Sequence, residues 1–251
     1  MNLLYKMSIK VLAITLLLFS TTVFSQNRNI AVNSFNKVIV SPHIEVTFKT
    51  GEKEEVIIEH ISEPLEKFHV EVKKHTLQLY LDGAEYTTKK DIEKSSKNRT
   101  VPLYKGTVVK VIVVYKKAVS FSLRGEERIV FDSPVNSDRM TLNIYGESQV
   151  YMNDVELKDL KVTIYGESFF KIEKGTVVNQ KITAYGESNV NTLDAQSKST
   201  KITAYGDGSF QFNVSDRLKI VSYGEPTVTY KGNARLDSGI SIGEVEIVKL
   251  N

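Results

Sequence analysis

The chain has 251 residues, 41% of them apolar and 25% charged, a balance that supports a folded core and argues against a disordered chain. It has no cysteine, which excludes a disulfide framework, a thiolate metal site, a catalytic thiol and a lipid-modified cysteine near the N-terminus. Its formal charge of +3 drops to +1 without Lys6 and Lys10, so the net charge gives no indication of a nucleic-acid partner, which needs a clustered basic stripe.

Residues 1–25 read as a secretory signal peptide. Lys6 and Lys10 precede the apolar run Val11 to Phe19, and Val23 and Ser25 suit the positions three and one before a cut ahead of Gln26. The run is shorter than the roughly 20 apolar residues of a spanning helix, and no second candidate follows. The mature chain is therefore expected to be exported (periplasmic, outer-surface or secreted) without a membrane span, an uncleaved N-terminal anchor being the alternative.

Residues 27–250 are expected to form one continuous domain. Its first part, 27–119, is β-rich and irregular, with strand-like runs at Val38 to Val40, Ile44 to Phe48, Val56 to Glu59, Phe68 to Val72, Leu77 to Leu81 and Val108 to Tyr115. Turns are expected at Lys49-Thr50-Gly51-Glu52 and Lys73-Lys74-His75. Between 82 and 106 the chain becomes a polar loop carrying Lys89, Lys90, Asp91, Glu93 and Lys94, of the kind that serves either as a functional excursion or as a mobile segment.

Residues 120–250 repeat. Tyr145-Gly146-Glu147-Ser148 recurs at Tyr165, Tyr185, Tyr205 and Tyr223, with glycine spacings of 20, 20, 20 and 18, and degenerate copies at Gly125 and Gly243. Before each glycine two apolar residues alternate with polar ones, as in Leu142 and Ile144 or Val162 and Ile164. After it a second alternating arm follows, as in Val150 and Met152 or Phe170 and Ile172. This period of two describes half-buried strands joined at a glycine corner, with a less regular return segment such as Asn153 to Leu160. One such unit cannot bury its apolar face alone, whereas stacked units share a continuous core. The expected fold is all-β, a single-stranded parallel β-helix (β-solenoid) of about 20-residue glycine-cornered coils. The rival is an antiparallel meander, whose hairpins favour two-residue turns such as Asn-Gly and would repeat in pairs.

The entry Phe35 to Val40, the run Ile44 to Gly51, the stretch His75-Thr76-Leu77-Gln78-Leu79 and the glycine-cornered repeats resemble the head GIN domain family, adhesin head domains of Bacteroidetes-type bacteria. The resemblance covers nearly all of the mature chain. It implies a right-handed parallel β-helix and an exported protein, and it implies no established activity. The auto-transporter part of that family's description is not expected to apply, because the rungs occupy the residues a membrane barrel would need.

Among groups that carry chemistry, His43, His60, His69 and His75 show no metal-site spacing and read as turn or surface residues. Ser148, Ser168 and Ser188 read as corner residues, not nucleophiles. Glu147, Glu167, Glu187, Asp207 and Glu225 share one phase, so they must splay into solvent, pair with Lys161, Lys181 and Lys201, or share a cation such as calcium. A glycosidase needs two carboxyls in unequal environments, and this row supplies equivalent ones. No cofactor and no catalytic residue is identified. Three classes remain: an envelope binding or adhesion module, a structural or partner-docking protein, and a polysaccharide-active enzyme.

Strand parity singles out one surface. With Ile144, Ile164 and Ala184 inward, Tyr145, Tyr165, Tyr185, Tyr205 and Tyr223 point outward beside Thr163, Thr183 and Thr203, with Lys161, Lys181 and Lys201 one step along. Such a ladder would serve as a platform for a glycan lying across the rings or for a surface protein. The competing reading is that stacked tyrosines only stabilise neighbouring rungs, or that the charged loop covers them.

Overall fold

The computed structural model describes residues 28–84, 90–92 and 100–251; the expected signal peptide and residues 85–89 and 93–99 of the charged loop lie outside the described residues. Twenty-one strands and one 3-10 turn (Leu65–Lys67) make up the regular structure among the described residues. The first nine strands are β1 (Arg28–Ala31), β2 (Lys37–Val40), β3 (Ile44–Thr50), β4 (Glu55–Ile61), β5 (Phe68–Lys73), β6 (Thr76–Leu81), β7 (Lys90–Ile92), β8 (Thr100–Pro102) and β9 (Val109–Tyr115). The repeat region follows with β10 (Ser120–Gly125), β11 (Arg128–Phe131), β12 (Val135–Gly146), β13 (Gln149–Met152), β14 (Val155–Gly166) and β15 (Phe169–Ile172). It ends with β16 (Gly175–Tyr185), β17 (Asn189–Tyr205), β18 (Ser209–Tyr223), β19 (Thr227–Lys231), β20 (Arg235–Ile242) and β21 (Glu246–Lys249).

From β10 onward every rung pairs in parallel with its equivalent one coil away, Leu142 beside Val162, Val162 beside Ile182 and Ile182 beside Ile202. The chain is thus a β-solenoid of about six turns, and the antiparallel alternative is excluded in the repeats. Leu142, Ile144, Val162, Ile164, Phe170, Ile182, Ile202 and Phe210 are all fully buried, as the alternation requires. The return segments are strands as well, since β14 runs without a break from Val155 through the corner at Gly166 and pairs with β16 over both sides. Their inward residues change type from coil to coil (Leu157, Val177, Ser197), which hides the periodicity in the sequence.

Each corner glycine has positive φ, +120° at Gly166, and a Cβ there would lie 2.3 Å from the carbonyl oxygen of Gly146 in the rung below. Glycine is therefore required twice over, for its backbone angle and for the closeness of the stacked corners. Two residues on, the serine hydroxyl turns inward: the fully buried Ser148, Ser168 and Ser188 donate to the carbonyls of Gly125, Gly146 and Gly166 at 2.8, 2.9 and 2.8 Å. Where the core turns polar the groups satisfy one another. Gln180 Nε2 donates to Thr192 Oγ1 at 3.1 Å, and the Ser197 and Thr200 hydroxyls lie 2.8 Å apart.

The first coils are not in sequence order. The β2–β3 coil is sandwiched between β10–β11 on one side and β6 and β9 on the other. The outermost coil is then closed by antiparallel partners, β5 on β6 and β4 on β9, with β1 on β4. This arrangement caps the N-terminal end against edge pairing. Phe48, Phe121 and Phe131 pack together beneath it at 4.8–5.0 Å between ring centroids. Strands β7 and β8 form a separate two-stranded antiparallel sheet within the charged loop.

Candidate functional site

One side of the solenoid is formed by the strand segments that precede the corner glycines, and its outward positions line up in register. Lys161, Lys181, Lys201 and Lys219 form one column, Thr163, Thr183, Thr203 and Val221 the next, and Tyr145, Tyr165, Tyr185, Tyr205 and Tyr223 a third. The geometry follows from β parity, because the residues between them are the buried columns.

The tyrosine rings stack face to face, with centroids 5.2, 4.8, 4.7 and 4.8 Å apart along the column and planes within 5° of parallel. Arg124 lies 5.7 Å from the ring of Tyr145 at one end, and Ile242 is the register partner of Tyr223 at the other. Every ring face between them is occupied by a neighbouring ring. What the column offers to solvent is ring edges and hydroxyls, with Tyr145, Tyr165, Tyr185 and Tyr205 36–43% exposed.

Among the described residues no ion pair engages Lys161, Lys181 or Lys201, while Lys219 at the C-terminal end lies 3.8 Å from Asp237, which also takes Arg217. In the two columns that begin at Arg139 and Thr141, the five rungs carry Arg139, Lys161, Lys181, Lys201, Arg217 and Lys219 against the acid Asp159, whose carboxylate accepts a 2.9 Å hydrogen bond from Asn179; the exposed positions just before them add Lys158 and Lys198 but also Asp138 and Asp216. Like charges about 4.8 Å apart repel by roughly 1 kcal/mol in water and less where exposed side chains splay apart, so an anion laid along the column would meet several ammonium groups at little cost to the sheet. The acids Glu147, Glu167, Glu187, Asp207 and Glu225 stand beyond the tyrosines, across the corner, all exposed. They splay into solvent and do not pair with the lysines, and Asp207 instead accepts the backbone N–H of Glu225 at 2.9 Å. A chain with almost no net charge thus presents a strongly basic side, which a count of charges along the sequence does not reveal.

Next to this side lies a cleft of about 610 Å³, lined by Tyr115, Lys116, Lys117, Asp138, Arg139 and Thr141 among others. Thr141 is the register partner of Lys161 and Arg139 that of Asp159, so the cleft opens at the N-terminal end of the lysine column. Its walls come from the β9–β10 connection and the start of β12, segments outside the repeat motif, and nothing in the sequence pattern marked them.

The histidines separate. His69 stacks on Tyr80 and bonds to Asp82 at 2.6 Å near the surface. His75 occupies a turn at φ +58°. His43 also sits in a turn, at φ +71°, but it is buried, contrary to a surface role. Its Nδ1 lies 2.7 Å from the carbonyl oxygen of Gly106 and 3.9 Å from the buried carboxylate of Glu127. Glu127 takes the corner position that serine occupies in later coils, and burial pushes its carboxyl pKa up against the backbone N–H of Glu126, which donates at 3.0 Å.

No curated protein matches the sequence. Several solved structures share the fold. A protein described as a "putative adhesin" from Bacteroides fragilis NCTC 9343 superposes with a TM-score of 0.74 at 18% identity, over 89% of this chain and 96% of its own. A "putative lipid binding protein" from Parabacteroides distasonis ATCC 8503 gives 0.64 at 18% identity over 90% and 96%. A "putative adhesin" from Parabacteroides merdae ATCC 43184 gives 0.65 at 15% identity, with the same coverage. Residues 34–234 match the family described as "Putative auto-transporter adhesin, head GIN domain". With that match spanning most of the chain, and the same solenoid in Bacteroidetes proteins of that description, the chain belongs to the head GIN domain family.

Proposed function

We propose that this chain is an exported cell-envelope binding module of adhesion type, and that its partner lies on the side carrying the lysine, threonine and tyrosine columns. Residues 1–25 are the export signal in this reading, and 27–250 form the binding domain. The observation that carries it is the lysine column, in which Lys161, Lys181 and Lys201 line up on adjacent rungs and enter no ion pair among the described residues. A purely structural protein gains nothing from such a row, because like charges facing each other across strands destabilise the sheet. The tyrosine stack fits a structural part as well, since rings that cover one another hold rungs together and leave only edges and hydroxyls for contact.

A glycan array probed with the mature protein tests the proposal. Retention of extended glycans without turnover is expected, reduced when Tyr165, Tyr185 and Tyr205 are together replaced by threonine. Turnover of a bound polysaccharide would make the chain an enzyme. Absence of binding to glycans and to isolated cell surfaces would leave it a structural envelope component.

A further inference from the structure

We infer that the partner on this side is a linear anionic glycan, its carboxylates lying along the lysine column and one end seated in the basic cleft. The inference rests on the binding reading above and adds the chemical class of the ligand. Lys161, Lys181, Lys201 and Lys219 repeat at the strand spacing of about 4.8 Å, so the cationic row runs parallel to the solenoid axis, across the strands. A chain with regularly spaced anions meets every lysine, whereas a compact anion meets one or two. The row continues at its N-terminal end into the cleft, where Lys116, Lys117 and Arg139 face the single acid Asp138. At the C-terminal end Asp237 closes the row by taking Arg217 and Lys219. The cationic track therefore has one closed end and one open, concave end.

The columns beside the lysines decide between polyanions. Thr183 and Thr203, with the tyrosine hydroxyls, set donors and acceptors alongside the lysines, which suits a polyhydroxylated chain, while Thr163 in the same column is buried. Single-stranded nucleic acid needs open aromatic faces for its bases, and here those faces are covered by the neighbouring rings. An anionic membrane surface would engage the lysines by charge but leave the hydroxyl columns without partners, and the outward positions in question hold mainly lysine, threonine and tyrosine and few apolar side chains that could insert.

The experiment compares binding of the mature protein to polygalacturonate and to the same polymer with its carboxylates fully methyl-esterified, which keeps the hydroxyls and removes the charge. Binding to the acid form is expected, weakening steeply as salt rises and at least about tenfold weaker for the ester. Replacing Lys161, Lys181 and Lys201 together by glutamine should weaken binding by at least about tenfold while the thermal midpoint stays equal or rises. Arg139→Gln with Lys117→Gln should shorten the residence time of a defined oligogalacturonate. Equal binding of ester and acid, or full binding by a folded triple-lysine variant, overturns the inference while leaving the binding module intact. Retention of duplex DNA or of anionic phospholipid vesicles as strong as that of polygalacturonate also overturns it. Absence of all glycan binding, neutral and acidic, overturns the inference, and absence of binding to isolated cell surfaces as well would remove the underlying reading.

Discussion

Replacing Gly166 by alanine separates the two reasons for a glycine at the corner. At φ +120° an alanine is held outside the regions open to L-residues, which costs about 1–3 kcal/mol. Its Cβ would also stand 2.3 Å from the carbonyl oxygen and 3.1 Å from the carbonyl carbon of Gly146. That carbonyl cannot move freely, because it accepts hydrogen bonds from Ser168 Oγ at 2.9 Å and from the Glu167 N–H at 3.1 Å. Forcing the rungs apart adds about 1–3 kcal/mol of overpacking and weakens hydrogen bonds of about 1 kcal/mol each. The total expected for Gly166→Ala is about 3–6 kcal/mol, a large share of the 5–15 kcal/mol typical of a whole domain. Gly106→Ala is the control. Gly106 has φ +57° and nothing within 4 Å of an added Cβ, so only the left-handed penalty of about 1–2 kcal/mol applies. Urea unfolding of the mature protein followed by circular dichroism, with thermal midpoints alongside, measures both. The midpoint should fall by about 6–20 °C for Gly166→Ala and by only a few degrees for Gly106→Ala. Equal losses in the two variants would show that the close stacking of corners contributes nothing.

Ser168→Ala should cost only about 1 kcal/mol in the same assay, because the Gly146 carbonyl keeps its bond to the Glu167 N–H; a loss above about 3 kcal/mol would mean that the serine column does more than donate one hydrogen bond. Phe170→Ala empties a fully buried ring position and should cost about 3–5 kcal/mol, and a loss under about 1 kcal/mol would contradict its place in the core. Glu127 has its folded pKa raised by burial, so its favourable contribution is fully present below the unfolded value of about 4.3 and is lost as pH rises through the folded value. Thermal midpoints from pH 4 to 8 should therefore fall less with rising pH in Glu127→Gln than in the parent, and parallel curves would refute the assignment.

The repeat region was legible because its signal is local and recurrent. A glycine at one phase, a pair of alternating apolar residues on each side and an aromatic at the corner sufficed to place Leu142, Ile144, Phe170 and Phe210 inside and the tyrosines outside. The first coils were not legible in the same way. Strands β2 and β3 precede β6 and β9 in the chain yet sit inside them in the stack, and only long-range pairing with β6, β9, β10 and β11 decides that order. Gln180 and Thr200 are polar yet buried, and each is satisfied by a hydroxyl, Gln180 by that of Thr192 and Thr200 by that of Ser197. The candidate site divides along the same line. Parity placed Lys161, Lys181 and Lys201 beside the tyrosines, but whether rings in adjacent rungs turn faces or edges to solvent is a rotamer property that no spacing encodes. The cleft brings Lys116 and Lys117 to Arg139 across more than twenty residues of sequence, so it emerges only once the rungs are stacked.

Lysine acylation footprinting with mass spectrometry tests most directly whether the basic side is the binding surface. The mature protein is labelled briefly with and without saturating polygalacturonate, and the modification of each lysine is compared. Lys161, Lys181 and Lys201 should be protected together, with Lys116 and Lys117 protected in parallel, while Lys53, Lys74 and Lys231, which lie off this side, label unchanged. Protection confined to those other lysines, with the column at Lys161, Lys181 and Lys201 labelling as in the free protein, would place the partner elsewhere on the solenoid and contradict the assignment.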